Sequence, residues 1–285
     1  MPEGDVVYRT ARRLHAALAG RVLLSSDLRW PSLATTDLRG RTVVEVVSVG
    51  KHVLARLSAS AGGGSDGAVP LTLHSHLKME GAWEIRSSRT DGSARRPRGG
   101  RPERESDVRA VLVNAEWTAV GRRLGMLDLL PTSREAGLVG HLGPDLLGAD
   151  WGPASLARAL SNLRQNPERP VGEALLDQRL VAGIGTFYMA EALFVRGITP
   201  WTPVAEVVDV EGLVVVAQRM LEVNSRRAGQ VTTGVNANGR QQWVHGRAGR
   251  PCRRCGTPVR VAPLGSAPHD RVAFYCPSCQ RGPVP

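Results

Sequence analysis

The chain has 285 residues, of which 42% are hydrophobic, and this length suits about two domains with packed cores. The formal net charge is +11, and residues 240–285 carry +7 of it, because they hold eight arginines and a single acidic residue. We find no run of about 18 apolar residues, no lipidation signal and no secretory signal in the sequence. The composition therefore excludes membrane, fibrous and disulfide-scaffold proteins, and the basic C-terminal segment favours nucleic acid as the partner.

The first half of the chain has a helical pattern and then strand-like patterns. Apolar residues recur every three to four positions over residues 5–19, which predicts a helix with Asp5 as its cap. From residue 41 onward, alternating β-branched residues and Gly-rich turns indicate an antiparallel sandwich or barrel. The six predicted strands span residues 41–49, 53–57, 69–76, 81–85, 108–114 and 117–121. Residues 86–106 contain no large apolar side chain, so we expect a disordered insertion there.

The second half returns to helical periodicity after a Gly/Pro-rich boundary near residue 150. The predicted helices span residues 155–162, 171–180, 187–196 and 210–224. Together with the strands they predict an α+β fold. Its three predicted domains are an N-terminal β-sandwich with a flanking helix (1–148), a helical domain (149–243) and a metal-binding hairpin (244–285).

All four cysteines lie near the C-terminus as two Cys-x-x-Cys pairs, Cys252 with Cys255 and Cys276 with Cys279. This spacing is typical of four thiolates that bind one Zn²⁺, and the absence of other cysteines suits a reducing cytosol. Short β-branched segments at 259–261 and 272–275 predict a hairpin between the pairs. Because four cysteine ligands leave no open position for water, such a zinc would be structural. A redox dithiol pair or four free thiols are the alternatives.

A helix, a turn with two glycines and a second helix are predicted over residues 170–188. Gly183 and Gly185 allow a close backbone approach, and free amides at the start of the second helix suit a phosphate. Helical hairpins with such turns are more often only packing elements. The pattern alone leaves both interpretations open.

The N-terminus offers a candidate nucleophile. Removal of Met1 would leave Pro2 as a terminal secondary amine next to the carboxylate of Glu3. An α-amino group has a reference pKa near 8, against about 10.4 for lysine, so more of it is unprotonated at neutral pH. A secondary amine that attacks a sugar C1′ forms an iminium, which acidifies the C2′ proton and drives elimination of the 3′ phosphate. The alternative is that Pro2 and Glu3 merely precede a helix.

Two turns between predicted strands hold the only lysines of the chain, Lys51 and Lys78. Lys51 follows Gly50 on a tight turn. Lys78 and Met79 lie at a strand–turn boundary, where an exposed apolar side chain can act as a wedge in a base stack. A solvated lysine and a core methionine are the ordinary alternatives.

Together, these motifs resemble the bacterial formamidopyrimidine-DNA glycosylase/endonuclease VIII family of bifunctional DNA repair glycosylases. The similarity runs from the Pro-Glu-Gly start and the Gly-Lys turn through SHLKMEG, GRRLG, HLGPDLL and VAGIGTFYMAEALF to CRRCG and FYCPSCQ. Only the loops 60–67 and 86–106 fall outside it. The Pro-Glu-Gly opening favours the actinobacterial endonuclease VIII branch, and hence oxidised pyrimidines and abasic sites over 8-oxoguanine.

The resemblance implies a role for each matching residue. Pro2 would be the nucleophile that forms a Schiff base with C1′, and Glu3 would be the proton donor. Lys51 would serve β-elimination and phosphate contact, and Arg271 would serve δ-elimination and grip the phosphates of the lesion. The residues implied in DNA binding are Lys78, Met79, Arg122, Arg123, Gly183, Gly185 and Thr186.

Three residues depart from the family pattern. Thr186 replaces an asparagine of the helical turn, so its phosphate contact would come from a shorter hydroxyl. Val6 replaces a second glutamate of the N-terminal hydrogen-bond network, and Leu124 replaces an aromatic wedge of the formamidopyrimidine branch.

The resemblance therefore predicts a bifunctional DNA glycosylase/AP lyase of base excision repair with one structural Zn²⁺. Its expected partner is damaged double-stranded DNA, with single-stranded or bubble DNA as the alternative. We expect a monomer in the bacterial cytoplasm, associated with the nucleoid. The alternatives are a non-catalytic paralogue that binds damaged DNA or abasic sites, and a glycosylase specific for 8-oxoguanine or formamidopyrimidine. A plain zinc-ribbon transcription factor would leave the first 240 residues unexplained.

Overall fold

The computed structural model describes residues 2–59, 69–88, 105–268 and 270–285. These residues form two compact units. The first contains Pro2 and Val7–His141, and the second contains Glu3–Val6 and Leu142–Pro285. The three-domain division with boundaries at 148 and 243 stays a prediction.

The first helix, α1 (Gly4–Leu18), begins in the second unit and continues in the first. Its apolar positions Val7, Ala11, Leu14 and Leu18 are buried, as their three-to-four-residue spacing requires. Asp5 lies inside the first turn rather than before it, so the predicted cap is wrong.

Among the described residues, the first unit has eight strands in two antiparallel sheets of four. The strands are β1 (Ser25–Leu28), β2 (Val43–Val49), β3 (His52–Leu57), β4 (Leu71–His76), β5 (Ala82–Ser87), β6 (Val108–Val113), β7 (Trp117–Arg122) and β8 (Met126–Pro131). One sheet has the order β2-β3-β4-β8 and the other the order β1-β6-β7-β5. Inside the unit the indole Nε1 of Trp83 on β5 donates to Oγ of Ser75 on β4 at 3.0 Å, so the two sheets are in contact.

The sequence predicted six of these strands and missed β1 and β8. The strand β5 runs to Ser87, so the predicted start of the disordered insertion at residue 86 is two residues too early. A 3₁₀ turn, Glu105–Asp107, precedes β6. Residues 89–104 of that insertion, and the loop at 60–67, lie outside the described residues.

The remaining elements follow in chain order. They are α2 (Ala136–Val139) in the first unit and, in the second, α3 (Pro153–Arg164), α4 (Val171–Leu176), α5 (Thr186–Arg196), α6 (Val210–Ser225), β9 (Arg260–Leu264) and β10 (Arg271–Tyr275). The helix predicted over 171–180 ends at Leu176, because Asp177 has an extended backbone.

The core of the second unit surrounds α5. Every residue of this helix from Phe187 to Phe194 is buried. The strands β9 and β10 form an antiparallel hairpin that packs on it through Leu264 and Ala273. The predicted α+β fold is confirmed. None of the described helices is long and apolar enough to cross a membrane.

Candidate active site and metal centre

The carboxylate of Glu3 lies on the N-terminus of α5. Its Oε2 accepts the amide hydrogens of Gly185 at 2.8 Å and Tyr188 at 3.3 Å, and its Oε1 accepts that of Phe187 at 2.7 Å. The first amides of a helix lack partners within the helix and carry its positive dipole end, so an anion is stabilised there. Glu3 is 1% exposed. The residue after Pro2 is therefore fixed in position and orientation.

Glycines make this close approach possible. A Cβ built on Gly185 would lie 2.4 Å from Cδ of Glu3, far inside van der Waals contact. Gly4 donates its amide hydrogen to the carbonyl of Gly183 at 3.0 Å, and a Cβ on Gly4 would meet Gly183 Cα at 3.0 Å. Gly183 itself has φ +106°, a conformation that side chains disfavour. Glu3, Gly4 and the Gly-Ile-Gly turn therefore form one packed arrangement.

This arrangement corrects the prediction that free amides at the start of α5 bind a phosphate. The amides of Gly185, Phe187 and Tyr188 already donate to Glu3, and that of Gly183 donates to Oε1 of Gln178 at 3.0 Å. The negative charge at this helix end comes from the protein itself. The Thr186 hydroxyl is buried and, among the described residues, has no hydrogen-bond partner.

The same segment contains a second carboxylate, Asp5, which the sequence pattern indicated only as a helix cap and not as a site residue. It is fully buried, and its Oδ1 accepts from Nε2 of Gln230 at 3.0 Å. The Tyr188 hydroxyl hydrogen-bonds Asp5 and also accepts from Nδ2 of Asn224 at 2.9 Å. Burial, together with the charge of Asp5, raises the pKa of Tyr188 far above its ordinary value. Asp5 thus supplies a buried carboxylate next to Val6, the position where the family pattern leads us to expect a glutamate.

In the first unit, the two lysines lie on turns. Lys51 follows Gly50, whose φ is +58°, between β2 and β3. Lys78 has φ +50°, and its amide donates to Nδ1 of His76 at 2.9 Å. Met79 is 65% exposed, so the alternative that it is a core residue is wrong. The turn after β4 presents an exposed apolar side chain, as a base-stack wedge requires.

The two predicted DNA-binding arginines at the end of β7 differ in the exposure of their side chains. Arg122 has a side chain only 14% exposed, and its Nε donates to Glu84 at 3.1 Å. Arg123 is more exposed, lies 3.8 Å from Glu80 and has φ +45°. Arg123 is therefore the more accessible cation of the pair.

In the second unit, Arg271 is the first residue of β10 and is exposed. It lines a cleft of about 270 Å³ together with Arg169, Glu173 and Asp177. The Arg179 guanidinium and, next to it, that of Arg169 hold the pKa of Asp177 well below its usual range.

The four cysteines form one cluster with all Sγ atoms within 4.8 Å of one another. The Sγ atoms of Cys252 and Cys279 are 3.9 Å apart, and those of Cys255 and Cys276 are 3.5 Å apart. Ligands 2.3 Å from a tetrahedral Zn²⁺ would be about 3.8 Å from one another, so the set fits this ion. Hydrogen bonds from Thr257 lower the pKa of Cys255 to about 6, which favours the thiolate form.

A buried carboxylate on α5, Glu191, binds the loop that precedes the cysteine cluster, and the sequence analysis did not identify it. Its two oxygens accept the amide hydrogens of Trp243, Val244 and His245 at 2.8–2.9 Å and a hydrogen bond from the Thr232 hydroxyl. Burial raises the pKa of Glu191, and these donors oppose that effect. No motif of the sequence marks this residue, because its partners lie 41 to 54 positions away.

The predicted site residues thus fall into distinct groups. The structure brings Glu3 together with Gly183, Gly185 and Thr186, and it brings the four cysteines together. Lys51, Lys78, Met79, Arg122 and Arg123 belong to the first unit, as does Pro2.

Comparison with protein families matches two models over most of the chain. Residues 1–127 match the formamidopyrimidine-DNA glycosylase N-terminal domain, and residues 142–233 match the formamidopyrimidine-DNA glycosylase H2TH domain. Among solved structures, a formamidopyrimidine-DNA glycosylase of Lactococcus lactis bound to DNA containing an abasic site is similar, with a TM-score of 0.75 and 21% identity over 99% of this chain and 100% of that one. That similarity supports the fold.

Curated relatives match from end to end. A Streptomyces coelicolor protein named probable endonuclease 8 2 is 49% identical over 100% of this chain and 96% of its own length. The Mycolicibacterium smegmatis DNA-(apurinic or apyrimidinic site) lyase Nei2 is 44% identical over 98% of this chain and 99% of its own. The Paracoccus denitrificans formamidopyrimidine-DNA glycosylase is 33% identical over 99% of this chain and 100% of its own length. With both domain models and these relatives matching, the chain belongs to the formamidopyrimidine-DNA glycosylase/endonuclease VIII family.

Proposed function

We propose that this protein is a bifunctional DNA glycosylase and AP lyase of base excision repair. It removes oxidised bases, pyrimidines in particular, and then cleaves the strand by β- or β,δ-elimination. The observation that carries the proposal is the buried Glu3 carboxylate on three amides of α5. A chain terminus ordinarily frays, so a terminal nucleophile needs an anchored neighbour to hold it in a reactive geometry. The names of the relatives, endonuclease 8 and AP lyase, support the same chemistry.

The mechanism begins with Pro2 as the N-terminal residue. Its secondary amine bonds to C1′ of the damaged nucleotide as the C1′–base bond breaks, and the base leaves with the electron pair of that bond and takes a proton from water. The carboxylate of Glu3 takes up the proton that the bonded Pro2 nitrogen loses and donates it to O4′ as the C1′–O4′ bond breaks, which opens the sugar and leaves an iminium between Pro2 and C1′. The iminium accepts the electron pair of the C2′–H bond as that proton is lost, and the C3′–O bond then breaks with release of the 3′ phosphate.

The remaining residues serve elimination and DNA binding. Lys51 accepts the C2′ proton and contacts phosphate, and Arg271 grips phosphates and serves δ-elimination. Lys78, Met79 and Arg123 contact the gap left by the displaced base, and Arg122 is held by its salt bridge to Glu84. Gly183, Gly185 and Thr186 form the turn of the second unit that we assign to DNA contact.

The metal and the partner follow from the same proposal. Zn²⁺ bound by the four cysteines acts only as a structural cross-link that holds the β9–β10 hairpin. The partner is DNA with a damaged base or an abasic site, as in the similar complexes of the Lactococcus lactis glycosylase. A monomer in the cytoplasm stays our expectation.

Borohydride trapping on abasic-site DNA tests the proposal. Protein with Met1 removed should give a covalent adduct at Pro2, because borohydride reduces the iminium to a stable amine. A matched protein with an uncleaved N-terminal tag should bind the DNA without forming the adduct. Binding without an adduct or strand cleavage by the correctly processed protein would contradict the enzyme and favour the non-catalytic paralogue. An incision panel with thymine glycol, 5-hydroxycytosine, dihydrouracil and 8-oxoguanine tests the pyrimidine preference.

A further inference from the structure

A cleft in the second unit lies between the loop at residues 232–243 and the first Cys-x-x-Cys pair, and the proposed function does not use it. Its volume is about 540 Å³, and sites for small molecules range from about 300 to 1,000 Å³. Among the described residues, no acidic side chain lines it. The side chains that give the cleft its chemistry are three arginines, an indole and an apolar residue: Arg240, Arg247, Arg253, Trp243 and Val235.

The loop at residues 232–243, which forms one wall of the cleft, is fixed at its base. The buried carboxylate of Glu191 accepts hydrogen bonds from the Thr232 hydroxyl and the Trp243 amide, at the two ends of the loop. The amide of Thr232 donates to the carbonyl of Gln241 at 2.8 Å, which also closes the loop. This wall is therefore held in place before a ligand arrives, so less conformational entropy is lost on binding.

The three arginines of the cleft form no ion pair with a described residue, and the third of them, Arg240, is exposed. Backbone carbonyls hold the other two: Arg247 donates to those of Trp243 and Pro251 at 2.5 and 2.8 Å, and Arg253 donates to that of Gln242 at 2.9 Å and to that of Gly239. A guanidinium has five N–H donors, so both keep donors for a further acceptor. Because neutral carbonyls fix these groups without cancelling their charge, the cleft suits a phosphate.

The indole of Trp243 adds an aromatic surface to this basic cleft. Its Nε1 donates to the carbonyl of Thr232 at 3.2 Å, and its ring stacks on Phe194 with centroids 5.4 Å apart. The indole is thereby held in one orientation, and the residue stays partly exposed. Unpaired bases stack on aromatic side chains in basic grooves that bind the phosphates of the same strand. A base within a duplex is already stacked between its neighbours, so the cleft suits an unpaired nucleotide.

We propose that this cleft binds a nucleotide of single-stranded DNA, with its phosphate on the arginines and its base on Trp243. The inference goes beyond the proposed function by adding a second DNA contact, and it rests on that function only in taking DNA as the partner. The site holds an unpaired strand that continues from the bound duplex. It therefore favours lesions in bubbles or close to single-stranded ends.

Equilibrium binding to two DNA molecules tests the site. One is a blunt duplex with a central tetrahydrofuran, an abasic-site analogue that does not react, and the other is the same duplex with a single-stranded tail of about five nucleotides at either end. We expect the wild-type protein to bind the tailed duplex at least about five-fold more tightly, with a salt dependence steeper by about 0.7 for each phosphate bound. A tail of tetrahydrofuran units, which has phosphates but no bases, should give only part of this gain.

Two variants change the charge of the cleft at exposed positions, where the fold tolerates substitution. Arg240→Gln removes a positive charge, and Val235→Asp adds a carboxylate that repels phosphate. Arg240→Gln should reduce the gain from the tail and Val235→Asp should abolish it, while both variants bind the blunt duplex as the wild type does. The matched controls Arg219→Gln and Val223→Asp, at exposed positions of α6 outside the cleft, should keep the full gain.

Three results would overturn the inference. They are equal binding of the blunt and tailed duplexes by the wild type, a gain that both cleft variants keep, and a gain that the control variants lose to the same extent. The full gain from the tetrahydrofuran tail would overturn the stacking of a base on Trp243. A wild-type protein that binds neither duplex would instead contradict the proposed function.

Discussion

At the scale of single residues, the carboxylate of Glu3 fixes the position of the N-terminal segment. Glu3 neutralises the positive end of α5 and satisfies three amide donors that would otherwise need water or a ligand. A buried amide left without an acceptor costs about 1–3 kcal/mol, so the segment is strongly held. The same contact occupies the amides of Gly185, Phe187 and Tyr188, so these three do not bind a phosphate while Glu3 is in place.

Gly185→Ala should displace Glu3 and reduce activity without unfolding the protein. The new Cβ would lie 2.4 Å from Cδ of Glu3, so the carboxylate must move away from the helix end. We expect adduct formation with abasic-site DNA to slow by at least about ten-fold, because small displacements of reacting groups have large kinetic effects.

Gly152→Ala is the matched control for that substitution. Gly152 has an extended backbone, and a Cβ there meets nothing within 4 Å. The Gly152→Ala variant should form the adduct at the wild-type rate. Equal rates for wild type, Gly152→Ala and Gly185→Ala would show that the position of Glu3 does not matter for the reaction.

At the scale of elements, the sheet β2-β3-β4-β8 concentrates titratable side chains on one face. Neighbouring strands contribute His52, His74, His76 and Asp128, and Lys51 and Lys78 flank them in the sequence. A sheet face is normally apolar where it is buried, and this one is an exception. Its buried rings also make the stability of the fold dependent on pH.

Acid should destabilise the protein through this sheet. Burial, together with the charges of Lys78, His74 and Lys51, lowers the pKa of His76 to about 4, and the pKa of His52 is near 3, against an ordinary value near 6.5. Below about pH 6.5 the unfolded chain binds protons that the folded chain does not, so the free energy of unfolding decreases as the pH falls from 6.5 towards 4.

Thermal unfolding between pH 7.5 and 4.5 measures this effect. The variant His76→Gln should lose less stability on acidification than the wild type, because one of the two histidines of this sheet with a lowered pKa is gone. The glutamine oxygen can still accept from the Lys78 amide. Parallel curves for the two proteins would contradict the assignment.

At the scale of the whole molecule, local patterns were predictable and long-range contacts were not. Periodicity predicts α1 and the helices of the second unit, and Cys-x-x-Cys spacing predicts the cluster of thiols. The strand β1, with the sequence SSDL, and the strand β8, with MLDLLP, lack the alternation that marks a strand. Both form because a neighbouring strand supplies the hydrogen bonds.

The candidate site shows the same division. Pro2 and Glu3 were recognised from a short motif, yet the partners of Glu3 lie 182 to 185 positions away, and Gln230 lies 225 positions from Asp5. Local sequence does not encode such pairs, since they arise only when helices pack. The cluster of His52, His74 and Asp128 is similar, because these residues meet only through the register of three strands.

Metal removal should affect DNA binding through the charge of the C-terminal segment. Residues 240–285 carry +7, and four thiolates with one Zn²⁺ reduce this to about +5, so the hairpin remains strongly basic. Without the ion, the cluster of Cys252, Cys255, Cys276 and Cys279 loses its cross-link, and the arginines of the hairpin, Arg260 and Arg271, lose their fixed positions.

Each phosphate contact contributes about 0.9 to the slope of the logarithm of the DNA-binding constant against the logarithm of the salt concentration. We therefore expect chelator-treated protein to bind abasic-site DNA more weakly, with a slope smaller by about 1 to 2. Added Zn²⁺ should restore both values, whereas Mg²⁺ should not, because thiolates select the softer ion. Unchanged affinity and slope in metal-free protein would show that the hairpin needs no ion to hold its arginines on the DNA.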